Sequence, residues 1–325
     1  MARVTQDDRF ALVVGSLLGL AAAAALVPAG GSPGRRRDRL ALPCPRRRDG
    51  HGAAQTHTAR MLNTGSAVLS LSVLADSGLE HYRGRYFNPA MFIPPVVSTL
   101  TLAASLHGAG DASRGTGRLR DAIYGLAALA GVVGTGFHIY NIGKRVGGYS
   151  WGNFFFGAPV GAPMALFLAG IFGKAAEAVR DTKPGRVARL FSLPAGRALA
   201  GMTSAALLGT VGEVGLLHFR GAYHNPAMFL PVTLPPVAAG LMAAAAADER
   251  PKHRPVTRIW LWLTGLLGFV GTGFHIYGVA RNMGGWRNWS QNVMNGPPIP
   301  APPSFTGLAL TGLAALNLAE RRGHG

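Results

Sequence analysis

The sequence predicts an all-α, polytopic integral membrane protein. It is read as two parallel four-helix transmembrane repeats, eight core spans in all, plus a candidate extra N-terminal span. Three observations carry this prediction. First, the 325 residues are 48% hydrophobic and only 14% charged, and the apolar positions gather in long runs, as in polytopic membrane proteins. Second, two stretches 137 positions apart are near-copies. His81-Tyr-Arg-Gly-Arg-Tyr-Phe-Asn-Pro-Ala-Met-Phe-Ile-Pro94 returns as His218-Phe-Arg-Gly-Ala-Tyr-His-Asn-Pro-Ala-Met-Phe-Leu-Pro231, identical at 10 of 14 positions, and Val133-Gly-Thr-Gly-Phe-His-Ile-Tyr140 returns unchanged as residues 270–277. Third, basic residues are shared unevenly between the two sets of loops.

The spans follow in order. Segments of about 20 apolar residues, the length a bilayer core requires, occupy 62–80, 89–107, 121–141 and 156–173 in the first copy. In the second they occupy 198–217, 226–246, 259–279 and 300–319. The units are therefore 1–60, 61–196 and 197–325. The first 60 residues admit three readings. Residues 10–28 form a ninth span with its N-terminus outside, or a signal sequence, or the reading frame begins at Met61, since 29–60 has a disordered, Arg/Pro/Gly-rich composition. The uncleaved span fits the charge rule best.

The net charge of +18 raises a nucleic-acid partner, but its distribution argues for topology instead. Of 32 Lys and Arg, 23 fall in segment 29–60, the connections near 108–120, 174–197 and 247–258, and the C-terminus; 9 fall on the opposite face. By the positive-inside rule the first face is cytoplasmic, C-terminus included, in a bacterial inner membrane. The partners expected are the lipid bilayer and a periplasmic redox protein, with no nucleic acid. Cys44 is the only cysteine, which excludes an internal disulfide, a Cys-ligated iron–sulfur cluster and a Cys-x-x-Cys-His haem attachment.

An even number of spans per copy gives both copies the same orientation. Both His-x-Arg-Gly segments then lie at the extracytoplasmic ends of spans 1 and 5. Both Gly-Thr-Gly-Phe-His segments lie near the same ends of spans 3 and 7. His138 precedes Lys144 by six residues, which places it roughly 9 Å inside that boundary. Part of the lettering is explained by structure alone: Gly84 and Gly221 suit a left-handed helix C-terminus, Asn88 and Asn225 an N-cap, Pro89 and Pro226 the first helical position. Gly-Thr-Gly suits close helix packing. Asn-Pro-Ala, present twice, resembles the pore motif of aquaporins, but those repeats are inverted and bring their motifs in from opposite faces, which excludes that architecture here.

Capping does not account for His81, His138, His218 and His275, for Arg83 and Arg220, for Tyr86 and Tyr223, or for the matched acids Asp76 and Glu213. Ionisable groups at membrane depth are costly and mark function. The leading expectation is haem b held between imidazoles, His81 with His138 and His218 with His275 as candidate iron ligands, or paired across the copies. Arg83 and Arg220 would meet haem propionates or a quinone headgroup, and Asp76 and Glu213 would accept a histidine N–H or a proton. A non-haem site drawing on four histidines and two acids ranks behind it. The function expected is a membrane anchor and electron-transfer subunit that passes electrons from a periplasmic dehydrogenase to quinone.

The alternatives are a small-solute transporter or channel and a structural anchor without cofactor. Pro94-Pro95, Pro159, Pro163, Pro231, Pro235-Pro236 and the prolines from Pro297 to Pro303 invite interrupted spans of transporter type. Against that, the cytoplasmic halves of the spans show no matching ionisable residues, only scattered Ser and Thr. The loops from Gly147 to Asn153 and from Gly284 to Asn292 supply aromatics for an interfacial belt or a docking surface.

Overall fold

In a computed structural model the described residues are 50–113, 115, 117–183, 186–248 and 254–320, so the candidate span 10–28 and most of unit 1–60 lie outside them. The fold is all-α. Helix α1 (Gly50–Arg83) is followed by a 3-10 turn (Pro89–Phe92) and α2 (Ile93–Gly110), then α3 (Arg118–Gly143), the short α4 (Trp151–Phe156) and α5 (Gly161–Asp181). A two-residue antiparallel ladder, β1 (Arg189–Leu190) with β2 (Leu193–Pro194), leads into α6 (Ala195–Arg220). A second 3-10 turn (Pro226–Phe229), α7 (Leu230–Ala247), α8 (Arg254–Arg281), a third 3-10 turn (Gly285–Asn288), α9 (Trp289–Asn295) and α10 (Pro303–Glu320) complete it.

Six helices among the described residues are long and apolar enough to cross a membrane: Pro89–Gly110, Arg118–Gly143, Gly161–Asp181, Ala195–Arg220, Pro226–Ala247 and Arg254–Arg281. Two of the eight expected spans differ for identifiable reasons. Helix α1 is 34 residues long but carries Asn63, Ser66, Ser70, Ser72, Asp76 and Ser77, which dilute its hydropathy. Helix α10 has a shorter apolar stretch, Pro303–Ala319. The prolines fall into three settings. Pro235 and Pro236 lie inside a continuous α7; Pro94, Pro95, Pro163, Pro231 and Pro303 stand in the first turn of a helix, where a missing N–H costs nothing; and Pro159, Pro297, Pro298 and Pro300 lie in the non-helical links before α5 and α10, the first of which breaks the expected span 156–173.

Helix α1 packs on α2, α5 and α10, and α3 packs on α5 and α2; in the other half, α6 packs on α7 and α10, and α8 packs on α10 and α7. The halves meet closely where α1 crosses α10. A Cβ added to Gly65 would lie 2.9 Å from the Gly307 carbonyl, the backbone approach that small residues permit between membrane helices. One apolar core runs through both halves, from Leu62, Leu69 and Phe172 to Leu199, Met242, Leu261 and Leu308. The outward faces of α3 and α8 expose Leu126, Leu129, Val132, Ile259, Trp262 and Phe269, a band of large apolar side chains that lipid solvates.

Candidate functional site

The two near-copied turns have one construction. Asn88 and Asn225 are N-caps as expected, each accepting the amide of the second residue on, Ala90 and Ala227, at 2.9 Å, with proline next in line. The left-handed residues are not the glycines. They are Arg85 and Tyr86 in one turn, Ala222 and Tyr223 in the other, with φ between 45° and 59°. Gly84 instead leaves room for Met91, whose movable terminal Cε would lie 2.8 Å from a Cβ there. Two consecutive non-glycine residues at positive φ are strained, and the same contacts hold both turns. Tyr86 Oη donates to Gly78 O and Tyr223 Oη to Gly215 O, each at 3.2 Å. The rings stack on Phe92 and Phe229 at 4.3 and 4.5 Å. Burial pushes the Tyr86 phenol up from its ordinary pKa.

All four histidines point a nitrogen at a backbone carbonyl. Nδ1 of His81 reaches Met91 O at 2.5 Å and Nδ1 of His218 reaches Met228 O at 2.8 Å. Nδ1 of His138 bonds Pro159 O, and Nδ1 of His275 bonds Pro298 O at 2.7 Å. A carbonyl only accepts, so each imidazole carries a proton on Nδ1, and in the neutral form Nε2 is the nitrogen left with a lone pair. This carbonyl bond is the support that orients a metal- or haem-ligating histidine. Within electrostatic range of one another are His81 and His138, and separately His218 and His275.

The acids and arginines depart from expectation. Neither acid accepts a histidine N–H, because the carbonyls already hold those protons. Glu213 lies across the half boundary against the N-terminus of α5, where the Gly161 amide donates to its carboxylate. A Cβ on Gly161 would lie 1.4 Å from Glu213 Oε2. The positive end of the α5 dipole also favours a carboxylate there. Asp76 faces Glu80, Glu213 and Arg83 electrostatically. Arg83 pairs with Glu80 at 3.1 Å on an exposed surface. Arg220 instead lies over the Phe155 and Phe156 rings at 5.5 and 5.4 Å. Among the described residues no group of three or more His, Cys, Asp or Glu is placed to hold a metal ion. The six-ligand non-haem cluster is therefore not assembled.

A second polar cluster sits at the opposite, basic end of the first half, where only scattered Ser and Thr were expected. Arg120 bonds Glu177 through Nε and Nη2, both at 3.0 Å, and its Nη1 reaches Asp111 and His107, each at 2.9 Å. Arg180 donates to the carbonyls of Asp111, Ser113 and Gly108. Burial raises the Asp111 pKa, but hydrogen bonds from Ser113 and the Arg180 and Arg120 charges outweigh it and hold the carboxyl below its ordinary value. The available signal was difference rather than likeness. Thr257 and Leu261 stand where Arg120 and Tyr124 do in the first copy.

No family model, curated protein or solved structure matches the chain. The chain is a multi-pass membrane protein by helix length and hydropathy.

Proposed function

We propose that the chain is a membrane anchor and electron-transfer subunit of a bacterial cytoplasmic membrane, built as two parallel four-span repeats. Its histidine-bearing face lies outside and its C-terminus in the cytoplasm, and it relays electrons from a periplasmic dehydrogenase to quinone through haem b. The observation that carries this reading is the fourfold Nδ1–H···O=C bond. It engages Nδ1 in the same way at all four positions and leaves Nε2 outside that bond, which supports pairing His81 with His138 and His218 with His275 as ligands. Neutral, oriented imidazoles in pairs are what axial ligation of a b-type haem requires. When bound, the haem would supply one-electron transfer, and the chain would supply the ligands, the dry surroundings and the docking face. Exposed Trp151, Trp289, Tyr149 and Phe219 flank the same end and suit an aqueous partner.

The orientation rests on the basic loops, 23 of 32 Lys and Arg on the opposite face. The deciding experiment is a reduced-minus-oxidised absorbance spectrum of protein purified from haem-replete cells. Bands of b-type haem are expected, with loss in His138→Ala and His275→Ala. Featureless spectra overturn the haem reading, and electrogenic solute flux by the same protein in liposomes would favour a transporter.

A further inference from the structure

The last helix of each half lies beside the first helix of the other, α10 beside α1 and α5 beside α6, and the two meetings are not alike. Contacts to α3 and α8 fix which residues correspond. Gly131 backs onto Phe167 as Gly268 backs onto Thr306, and Gly134 onto Pro163 as Gly271 onto Pro302. Residues of α1 and α3 therefore recur 137 positions on, and residues of α5 recur 139 positions on.

Helix α10 lies close along α1. Gly65 backs onto the Gly307 carbonyl, and a Cβ on Gly307 would meet Leu69. Ser72 Oγ donates to Pro300 O at 2.5 Å and meets Ser304 Oγ at 3.1 Å. Between α5 and α6 the matching places hold Met202 for Gly65, Leu168 for Gly307 and Gly209 for Ser72. Two large side chains thus replace the glycine pair that permits close approach, and α5 touches α6 at few points. Open space results: a Cβ on Gly209 or Gly212 would meet nothing within 4 Å. Ala205 is exposed as well, and so is Leu208, at 53%. Both helices are long and apolar enough to cross a membrane, so the crevice opens sideways to lipid rather than to water.

Its outer end carries a carboxylate. Glu213, one methylene longer than its counterpart Asp76, spans the gap and accepts the Gly161 amide, whose own counterpart Pro300 has no N–H. The α5 dipole favours the ionised group. Among the described residues no cation lies within 4 Å of it. Its remaining lone pairs call for a donor, and Asp76, within electrostatic range, adds to the negative field. Such a head repels anions and gains nothing from a quinone, whose carbonyls only accept. It suits a hydroxyl.

We propose that this crevice admits a lipid-soluble hydroquinone from the bilayer, with its ring over Gly209 and Gly212 and one hydroxyl donating to Glu213. From Ala205 to Glu213 the helix rises roughly 12 Å, room for one ring and the start of a tail. The choice of ligand rests on the electron-transfer reading above; the crevice does not. Tighter binding of the reduced form raises the reduction potential of the bound couple, which draws electrons toward quinone.

The test uses the full chain in nanodiscs of synthetic, quinone-free phosphatidylcholine, with isotope-labelled decyl-hydroquinone kept reduced under argon. Saturable retention above protein-free nanodiscs is expected, with decyl-benzoquinone held about tenfold more weakly for want of the charge-assisted bond. Glu213→Gln should weaken hydroquinone binding and narrow its preference over the quinone, because an amide both accepts and donates. Gly209→Leu fills the open space while improving helix propensity, so it is expected to fold and to lose retention. Ala122→Leu enlarges an exposed position on α3 and should bind as the unmodified chain does. The proposal is overturned by retention no greater than in protein-free nanodiscs, or by uptake that does not saturate, as partition into lipid gives. Undiminished binding in Gly209→Leu, equal loss in Ala122→Leu, or quinone held as tightly as hydroquinone would also overturn it. Binding needs no haem. Haem-free protein that binds would remove only the haem reading, and haem-loaded protein that does not bind would remove only the crevice.

Discussion

His81 donates its Nδ1 proton to the carbonyl of Met91, and 137 residues on His218 donates in the same way to Met228. Each bond ties the last turn of one helix to the first turn of the next across a backbone that runs through two left-handed residues. The imidazole therefore has two separable jobs: Nδ1 braces a strained turn, and Nε2 stays open for a ligand.

An asparagine amide places its N–H near the position of Nδ1 and has nothing in place of Nε2. His81→Asn is therefore expected to retain most of the thermal stability of the detergent-solubilised protein while losing any ligand bound at Nε2. His81→Ala leaves the Met91 carbonyl unpaired and is expected to cost about 1–3 kcal/mol. Equal melting temperatures for the two variants would show that the bond does not brace the turn.

Gly161 is fixed by its neighbour. A Cβ there would overlap the Glu213 carboxylate, and the α5 backbone cannot withdraw without losing the amide bond to that group. Gly161→Ala is expected to destabilise the fold by about 1–3 kcal/mol, as overpacking does. Gly152→Ala, which meets nothing within 4 Å, is expected to be neutral. In G161A/E213A the penalty should be smaller than the sum of the single changes. Strict additivity in thermal unfolding would place the two residues out of contact.

The membrane class, the helix-capping asparagines and the clustering of candidate residues at one end were legible because hydropathy, Asn-Pro and the 137-residue offset are local signals. The carbonyl partners of the histidines were not. Likeness between copies shows that His81 and His138 are retained, but only the folded backbone brings the Met91 and Pro159 carbonyls to their Nδ1 atoms. For a related reason nothing in the sequence marked the Gly161 amide as a partner of the Glu213 carboxylate. The Met91, Pro159, Met228 and Pro298 carbonyls that hold the histidine protons are invisible in a reading of side chains. The Arg120–Glu177 cluster is not legible from what the copies share. Polar residues whose counterparts are Thr257 and Leu261 show up only as differences.

That cluster is a buried ion network, and its parts depend on one another. Arg120→Ala would leave Glu177, 1% exposed as a side chain, with one cation instead of two. The expected cost is about 3–5 kcal/mol, as for breaking one partner of a buried pair. R120M/E177L removes both charges, leaves Arg180 with Asp111, and is expected to be more stable than Arg120→Ala. A double variant no better than the single one in thermal unfolding would refute mutual dependence.

Asp111 gives the network an acid-sensitive member. Its carboxyl is held below the ordinary value by Ser113, Arg180 and Arg120 despite burial. A depressed folded-state pKa contributes stability that is present above the unfolded-state value and is lost as pH falls through the folded one. Asp111→Asn is therefore expected to melt below the unmodified protein at neutral pH, and the gap should close as pH falls below the ordinary carboxylate range. A gap that is constant or widens on acidification would contradict the assignment.

The uneven basic loops make a claim about sidedness that labelling can check. Val146 is fully exposed beyond α3, at the histidine end, and Arg118 is exposed at the opposite end of the same helix. Helix α3 spans 26 residues, roughly 39 Å at 1.5 Å per residue, enough to put the two positions on opposite sides of a bilayer core of about 30 Å. With Cys44 replaced by serine, Val146→Cys is expected to react with a membrane-impermeant maleimide in intact spheroplasts. Arg118→Cys should react only after permeabilisation. The reverse pattern would turn the protein over, place the histidines in the cytoplasm and remove the basis for a periplasmic electron donor.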